Sequence, residues 1–415
     1  MHNTNNTRVL LNAYKWPPIS KKIIKAVIKH LKNGSLGEYE EDTGPLVNFE
    51  KKFAKYIGSK YALLCSSGTS ALFSAYFSIR LQPGDEVLVP AFTFVATVSP
   101  LLFFGVKIVF VECEEGNGNI DPTDLAKKIS QKTKAVVITH NGGIPVDIDP
   151  ILKLKDKFSF FLIEDCARAL GSEYKHERVG KFGDVSCFSF QEKKVVFGGE
   201  GGIALTSDRG IYERMVLLGH YFRSKTKTHL SLSKNVIFSA TSLGLNFSIH
   251  PLSAIIANES FNFLESTISN RAHSYKEFKS ALLKRRVKSI KLTRIPNYCT
   301  KISHYHYVTK YNSSILPMIS KKVFVSELRK RGVDARITDH KPLYRFPLFQ
   351  KEGKLMFGRL GNNCTQPSPS YGTPSDRFFD SMIVFPPITK KGIIQEYVKI
   401  ISEVEKNLHA YHKDF

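Results

Sequence analysis

Three short stretches carry residue types that could do chemistry together. The first is CFSFQEKKVVFGGEGG at 187–202, where Lys193 and Lys194 sit between an apolar run and a glycine cluster. A lysine amine held in a partly desolvated cleft can form a Schiff base with an aldehyde; once released, it can carry a proton. A lysine pair is equally well an ordinary solvated patch, so its company decides. The second stretch is FFLIED, ending at Asp165, 29 residues before Lys194. A carboxylate at the tip of a buried strand needs a partner. A protonated heterocyclic nitrogen is one such partner, and a helix start to cap is another. The third is SSGTSA at 66–71, between a strand pattern and a helix pattern. Small residues there leave backbone N–H groups at the helix start open to a phosphate. Hydroxyls of Ser67, Thr69 or Ser70 could add bonds, although an ordinary turn with a hydroxyl cap has the same composition. Ser189, five residues before Lys194, could reach the same phosphate from the preceding strand, and GGEGG permits a tight return of the chain.

Such groups meet only if the chain delivers them to one place. From residue 60 onward, short apolar runs alternate with helical stretches. KYALLCSS, EVLVP, VKIVFVE, KAVVITH, FSFFLIED, VSCFSFQ and GGIALTS read as strands. SGTSALFSAYFSIRL reads as the helix after the first strand, and TFVATVSPLLFF as the start of another. DPTDLAKKI reads as a helix with Asp121 as its cap and Pro122 in its first turn. Ahead of these, ISKKIIKAVIKHLKNGS and VNFEKKFAKYIG have helical periodicity that stops at Gly34 and Gly58. This alternation predicts an α/β domain whose mainly parallel sheet is covered on both faces. Sheets of that kind bind ligands at the carboxyl ends of their strands, where Ser66 to Ser70, Asp165 and Lys194 fall. After residue 250 the texture changes to one long helical segment, PLSAIIANESFNFLESTISNRAHSYKEFKSALLKR, then mixed strands around HYHYVTKY and two further helices. We therefore assign residues 1–250 to an N-terminal arm and large domain, and residues 251–415 to a smaller α+β domain. The Gly-, Pro-, Ser- and Asn-rich segment 346–378 reads as a long loop.

Bulk properties narrow the partners. Lys and Arg number 60 against 37 Asp and Glu, a formal charge of +23. That excess favours anionic ligands but does not specify a fold. No nucleic-acid recognition motif is present, so no nucleic-acid partner is expected. The longest apolar run, LLFFGVKIVFV at 101–111, is broken by Lys107 and too short to cross a bilayer. The N-terminus lacks the order of a signal peptide. Six scattered cysteines show neither CxxC nor metal-ligand spacing and read as free thiols of a cytoplasmic protein, with no metal expected.

In order along nearly the whole chain run GSLGEYEEDTGPLVNFEKKFAKYIG, CSSGTSALFSA, PGDEVLVPAFTFVATVSP, NIDP, HNGGIPVDID, IEDCARALGSEY, FGDVSCFSFQEKKVVFGGEGGIALTSD and LGLNFSIHPLSA. Taken together, the sequence resembles the DegT/DnrJ/EryC1/StrS family of sugar aminotransferases of pyridoxal-phosphate fold type I. The resemblance implies a large domain with a mostly parallel seven-stranded sheet between helices, plus the smaller C-terminal domain. It implies pyridoxal 5'-phosphate as cofactor and Lys194 as its Schiff-base lysine and proton carrier. Asp165 would hold the pyridine nitrogen protonated, Phe94 would stack on the ring, and Ser189, Gly68 and Thr69 would form the phosphate cup. Asn246 would reach the phosphate of a neighbouring subunit, making a homodimer with shared active sites. The reaction implied moves an amino group from glutamate or glutamine to a keto-sugar, most often one linked to a nucleoside diphosphate. Keto-cyclitol amination, a related sugar dehydratase and a non-catalytic regulatory relative are the alternatives; retention of Lys194 argues against the dehydratase.

Three positions depart from the family pattern. Arg168 stands where Gln or His is frequent and could bind the cofactor on its hydroxyl side, or a substrate carboxylate or phosphate. Lys193 replaces a Thr or Ser and could depress the pKa of Lys194. Asn246, Phe247 and Ser248 replace NYR, removing one basic group. Other conspicuous residues are less specific. Trp16 lies near the expected entrance or simply packs. His304 and His306 alternate on one face of a possible strand. His220 ends a helix or lines the cleft, and His250 with Pro251 starts the next helix. Arg336 and His340 lie where the smaller domain approaches the substrate.

Overall fold

The computed structural model describes residues 16–33, 36, 44–225, 229–358, 369–388, 390 and 392–410. Its strands are β1 (Tyr61–Cys65), β2 (Glu86–Pro90), β3 (Lys107–Val111), β4 (Thr133–Thr139), β5 (Phe161–Asp165), β6 (Glu173–Tyr174), β7 (Glu177–Arg178), β8 (Val185–Ser189), β9 (Gly202–Thr206), β10 (Ile290–Leu292), β11 (Cys299–Lys301), β12 (Tyr307–Tyr311) and β13 (Met382–Phe385). Seven of them form one sheet in the order β1-β9-β8-β5-β4-β2-β3. Every pairing from β8 through β5, β4 and β2 to β3 is parallel, and β9 alone runs against its two neighbours.

Alternation along these strands builds two cores. Leu63, Val87, Val89, Val137 and Ile163 face the helices Gly68–Ser78 and Arg209–Gly219. On the opposite face, Leu88, Val136 and Leu162 pack with the helix Ile148–Phe158, while Leu64, Phe188 and Leu205 pack with Pro45–Ile57 and Pro251–Phe261. Burial on both sides explains why the strands read as unbroken apolar runs. Each such Leu, Ile or Val contributes about 1.5–3 kcal/mol on burial. A second sheet, β10-β12-β13, is antiparallel and shares a core with the helices Leu264–Lys284, Lys321–Lys330 and Ile393–Ala410. The third sheet, β11-β6-β7, is made of two- and three-residue strands.

Three elements differ from the sequence reading. TFVATVSPLLFF forms two 3₁₀ turns, Val95–Thr97 and Ser99–Phe104, rather than an α-helix. Pro100 lacks the N–H that an α-helix would use there. The long segment after Pro251 breaks at Asn262–Phe263 into the helices Pro251–Phe261 and Leu264–Lys284. The break lets the second helix serve two cores: Leu264 and Ile268 pack on the large sheet's face, and Tyr275, Phe278 and Leu282 on the smaller one. The supposed loop 346–378 contains the turn Pro347–Phe349, the helix Lys351–Phe357 and the start of the capped helix Pro374–Ser381. The expected helix stop at Gly34 lies outside the described residues, as does Cys364; Gly58 ends its helix in the left-handed region, φ 93°.

Candidate active site

At the carboxyl end of the central strands lies a cavity of about 590 Å³. Its walls include Gly68, Thr69, Phe94, Asp165, Arg168 and Ser189, with Lys194 projecting between them. Seven of the eight residues singled out from the sequence therefore meet in one place. The eighth, Asn246, is exposed and outside this cavity. Its neighbour Phe247 is fixed close to the first strand, because its carbonyl accepts from the Ser66 N–H at 2.6 Å.

The helix Gly68–Ser78 begins with a reciprocal capping box between Ser67 and Ser70. The Ser67 hydroxyl accepts the Ser70 N–H at 3.0 Å, and the Ser70 hydroxyl accepts the Ser67 N–H at 2.8 Å. Two of the three hydroxyls offered by the sequence are thus committed to the helix start, and Thr69 is the one exposed in the cavity. First-turn N–H groups at Gly68 and Thr69 have no intrahelical acceptor. A Cβ on Gly68 would lie 2.8 Å from the Ser189 Cβ, so glycine is what lets the end of β8 bring the Ser189 hydroxyl against the helix start.

Asp165 and Glu164 show how one step along β5 separates two roles. Glu164 is fully buried and accepts the N–H groups of Gly180, Phe182 and Gly183. His140 Nδ1 accepts the Val146 N–H at 3.1 Å, so its proton sits on Nε2, 3.3 Å from Glu164. The ligand atoms of buried Cys166 and of this His140–Glu164 pair lie within 4.8 Å of one another. Asp165 turns the other way. Its Oδ2 accepts the Thr97 hydroxyl at 2.8 Å, and its Oδ1 accepts the Ala167 N–H at 3.0 Å. Thr93 lies 3.1 Å from the Thr97 hydroxyl; with Thr97 donating to Asp165, Thr93 is the donor. Thr97 was not singled out from the sequence, because its role depends on a turn read there as helix.

Lys194 follows β8 on a loop held by Lys194 N–H to the Gln191 carbonyl (2.8 Å) and Glu192 N–H to the Gly199 carbonyl (2.9 Å). Its amine lies 4.9 Å from the centroid of the Tyr305 ring. Burial, then the charge of Arg168, pulls its pKa down to about 7, while Asp165 acts in the opposite direction. The depressing cation is Arg168; Lys193, expected in that role, is exposed at the cavity wall. The Arg168 guanidinium sits 5.6 Å from the same Tyr305 ring.

Tyr305 was also missed, and it is brought in from the smaller half of the chain. Gly143 has φ 92°, and a Cβ there would collide with the Ser303 hydroxyl. Its absence lets Ser303 donate to the Arg168 carbonyl at 3.0 Å and Tyr305 N–H reach the Gly142 carbonyl at 3.2 Å. Beside Tyr305, His306 stands half-buried in the wall, and desolvation together with Arg168, Arg336 and Lys194 holds its pKa well below the ordinary histidine value. His304 lies off the cavity, stacked on Tyr275 at 4.5 Å, and β12 begins only at Tyr307, so the two histidines do not share a strand face. Arg336 lines the cavity paired with Asp334, and His340 meets Phe94 edge-on at 5.4 Å. Phe94 is 46% exposed. Trp16 donates its indole N–H to the Glu192 carbonyl at 2.9 Å and packs edge-on against Phe197.

These residues fit a phosphorylated, aldehyde-bearing pyridine. An amine near neutrality at pH 7 faces the cavity, a carboxylate is already oriented, and open N–H groups lie beside a cradle that a Cβ at Gly68 would fill. A family profile described as the DegT/DnrJ/EryC1/StrS aminotransferase family matches residues 17–364. The chain is 40% identical over 166 residues to GDP-perosamine synthase of Escherichia coli O157:H7, covering 40% of this chain and 46% of that one. It is 30% identical over 351 residues to UDP-4-amino-4,6-dideoxy-N-acetyl-beta-L-altrosamine transaminase of Helicobacter pylori, covering 82% and 86%. For several curated relatives, the matched stretch spans about half their length. An aminotransferase structure from Psychrobacter cryohalolentis matches with a TM-score of 0.83 at 25% identity, covering 95% of this chain and 99% of that one. The chain belongs to the DegT/DnrJ/EryC1/StrS aminotransferase family, and pyridoxal 5'-phosphate is its cofactor.

Proposed function

We propose that this protein transfers an amino group from glutamate or glutamine to a keto-sugar carried on a nucleoside diphosphate. The observation that carries the reading is Lys194, an amine drawn to a pKa of about 7 in the same cavity as a pre-oriented Asp165. When bound, pyridoxal phosphate supplies an electron sink that stabilises negative charge at the reacting carbon. Lys194 would hold the cofactor's aldehyde end and, as a free amine, would take and return the α proton of an amino substrate. Its depressed pKa suits both directions of that transfer. Asp165, fixed by Thr97 and Ala167, would keep the pyridine nitrogen protonated, Phe94 would stack on the ring, and Gly68, Thr69 and Ser189 would hold the phosphate. Arg336 and Lys193, with Glu200 opposite in charge, line the wall where an acceptor would enter.

The sugar class rests on likeness to relatives named for GDP-linked and UDP-linked amino sugars. A dimer belongs to the same proposal. Asn246 lies beside the exposed apolar residues Leu243 and Leu245, with Ile237 and Phe238 exposed a few residues earlier. A second copy seated there would cover this surface and deliver Asn246 to the partner's phosphate cup. The test is direct amino transfer. Purified protein with cofactor, glutamate or glutamine and a GDP- or UDP-linked keto-sugar should yield the amino sugar and the oxo acid in equal amounts, and K194A should yield neither. Formation of an oxo acid without an aminated nucleotide sugar would point to the cyclitol reading. No reaction with any amino donor would sink the proposal.

A further inference from the structure

Arg168 is a half-buried cation of the cavity wall, whereas Lys193 in the same wall is exposed to solvent. Arg336 is held in a two-pronged pair by Asp334. Asp165 is committed to Thr97 and Ala167, and no carboxylate lies within ion-pair distance of Arg168 among the described residues. Its guanidinium meets the Tyr305 ring, the same ring that the Lys194 amine meets. Its main chain is pinned from both sides: its carbonyl accepts the Ser303 hydroxyl, and the neighbouring Ala167 N–H is held by Asp165. A fixed, half-buried guanidinium beside a reacting amine is costly without an anion. It also presents a planar fork that matches a carboxylate at two points.

We propose that Arg168 is the anchor for the α-carboxylate of the amino donor. The inference rests on the aminotransferase reading above and deepens it. The carbon that reacts at Lys194 in the first half-reaction carries that carboxylate one bond away, so a cation that meets the same aromatic ring as the Lys194 amine lies within reach of it. The acceptor has no such group at its reacting carbon. Arg168 thereby discriminates between the two substrates of one site: it is filled in the first half-reaction and left to water or a hydroxyl in the second. Tyr305 acts as a positioning residue, its ring in contact with both the guanidinium and the amine.

The experiment compares wild type with R168Q and R168K, each loaded with cofactor, in the two half-reactions separately. Glutarate, which has the carboxylates but no amine, is titrated by calorimetry as a non-reacting probe. We expect R168Q to raise the donor KM about 10- to 100-fold, leave the acceptor KM within about twofold, and lose glutarate binding by a similar factor. R168K should fall between. Retention of the long-wavelength Schiff-base absorbance shows that the variants are folded at the site. An unchanged donor KM with unchanged glutarate binding would overturn the proposal. So would a rise confined to the acceptor, which would assign the guanidinium to an acidic group on the sugar. If wild type reacts with no amino acid at all, the aminotransferase reading fails, yet loss of glutarate binding in R168Q would still support the carboxylate site.

Discussion

Near pH 7 the Lys194 amine is divided between its charged and free forms, because burial and Arg168 both disfavour the charge. In the cofactor-free protein, its rate of reaction with pyridoxal phosphate should rise as pH increases through about 7, since only the free amine attacks. R168Q removes the second cause and leaves burial, so the midpoint should move upward; the absorbance rise on mixing at several pH values measures it. A second prediction concerns the carboxylate. D165N should lower kcat about 100-fold or more while Lys194 still captures the cofactor. T97V, which removes the hydroxyl bonded to Asp165 at 2.8 Å, should lower kcat by about 10-fold. Stopped-flow absorbance of the first half-reaction separates these effects from any loss of cofactor.

The elements were legible where one rule acted alone. EVLVP is β2 residue for residue, and Asp121 caps its helix as read, accepting the Thr123 N–H at 2.8 Å. Legibility failed where long-range packing set the local form. Val95 to Phe104 had the apolar content of a helix, but Pro100 and the need to bring Thr97 to Asp165 impose 3₁₀ turns. The break at Asn262–Phe263 serves two cores that no local window displays. The candidate cofactor residues lay in contiguous motifs, and seven of the eight read from them line one cavity. Tyr305 was not singled out and His306 was read only as part of a strand, because their place is set by contact across the fold at Gly143. That contact yields a third prediction. G143A puts a side chain at φ 92° against Ser303. It should cost about 1–3 kcal/mol and displace Tyr305 from Lys194. Thermal unfolding reads the first effect, and a changed pH midpoint for Lys194 reads the second.

Over the whole molecule, charge and association are the properties to test. No helix among the described residues is long and apolar enough to cross a membrane, yet Ile237 and Leu243 are 75% and 58% exposed. Replacing both with aspartate should turn the proposed dimer into monomers by light scattering and weaken cofactor retention together, because Asn246 would lose its partner's cup. A formal charge of +23 should also make the KM for a nucleoside-diphosphate sugar rise once salt passes ~0.1 M, where the screening length is about 10 Å. Finally, the chain contains a single tryptophan, and that residue, Trp16, is bonded to the carbonyl of Glu192, two positions from Lys194. The protein therefore carries an optical gauge on the loop that bears this lysine. Emission from one indole should dim as the absorbing cofactor arrives, and recover as the lysine is emptied, without any label being added.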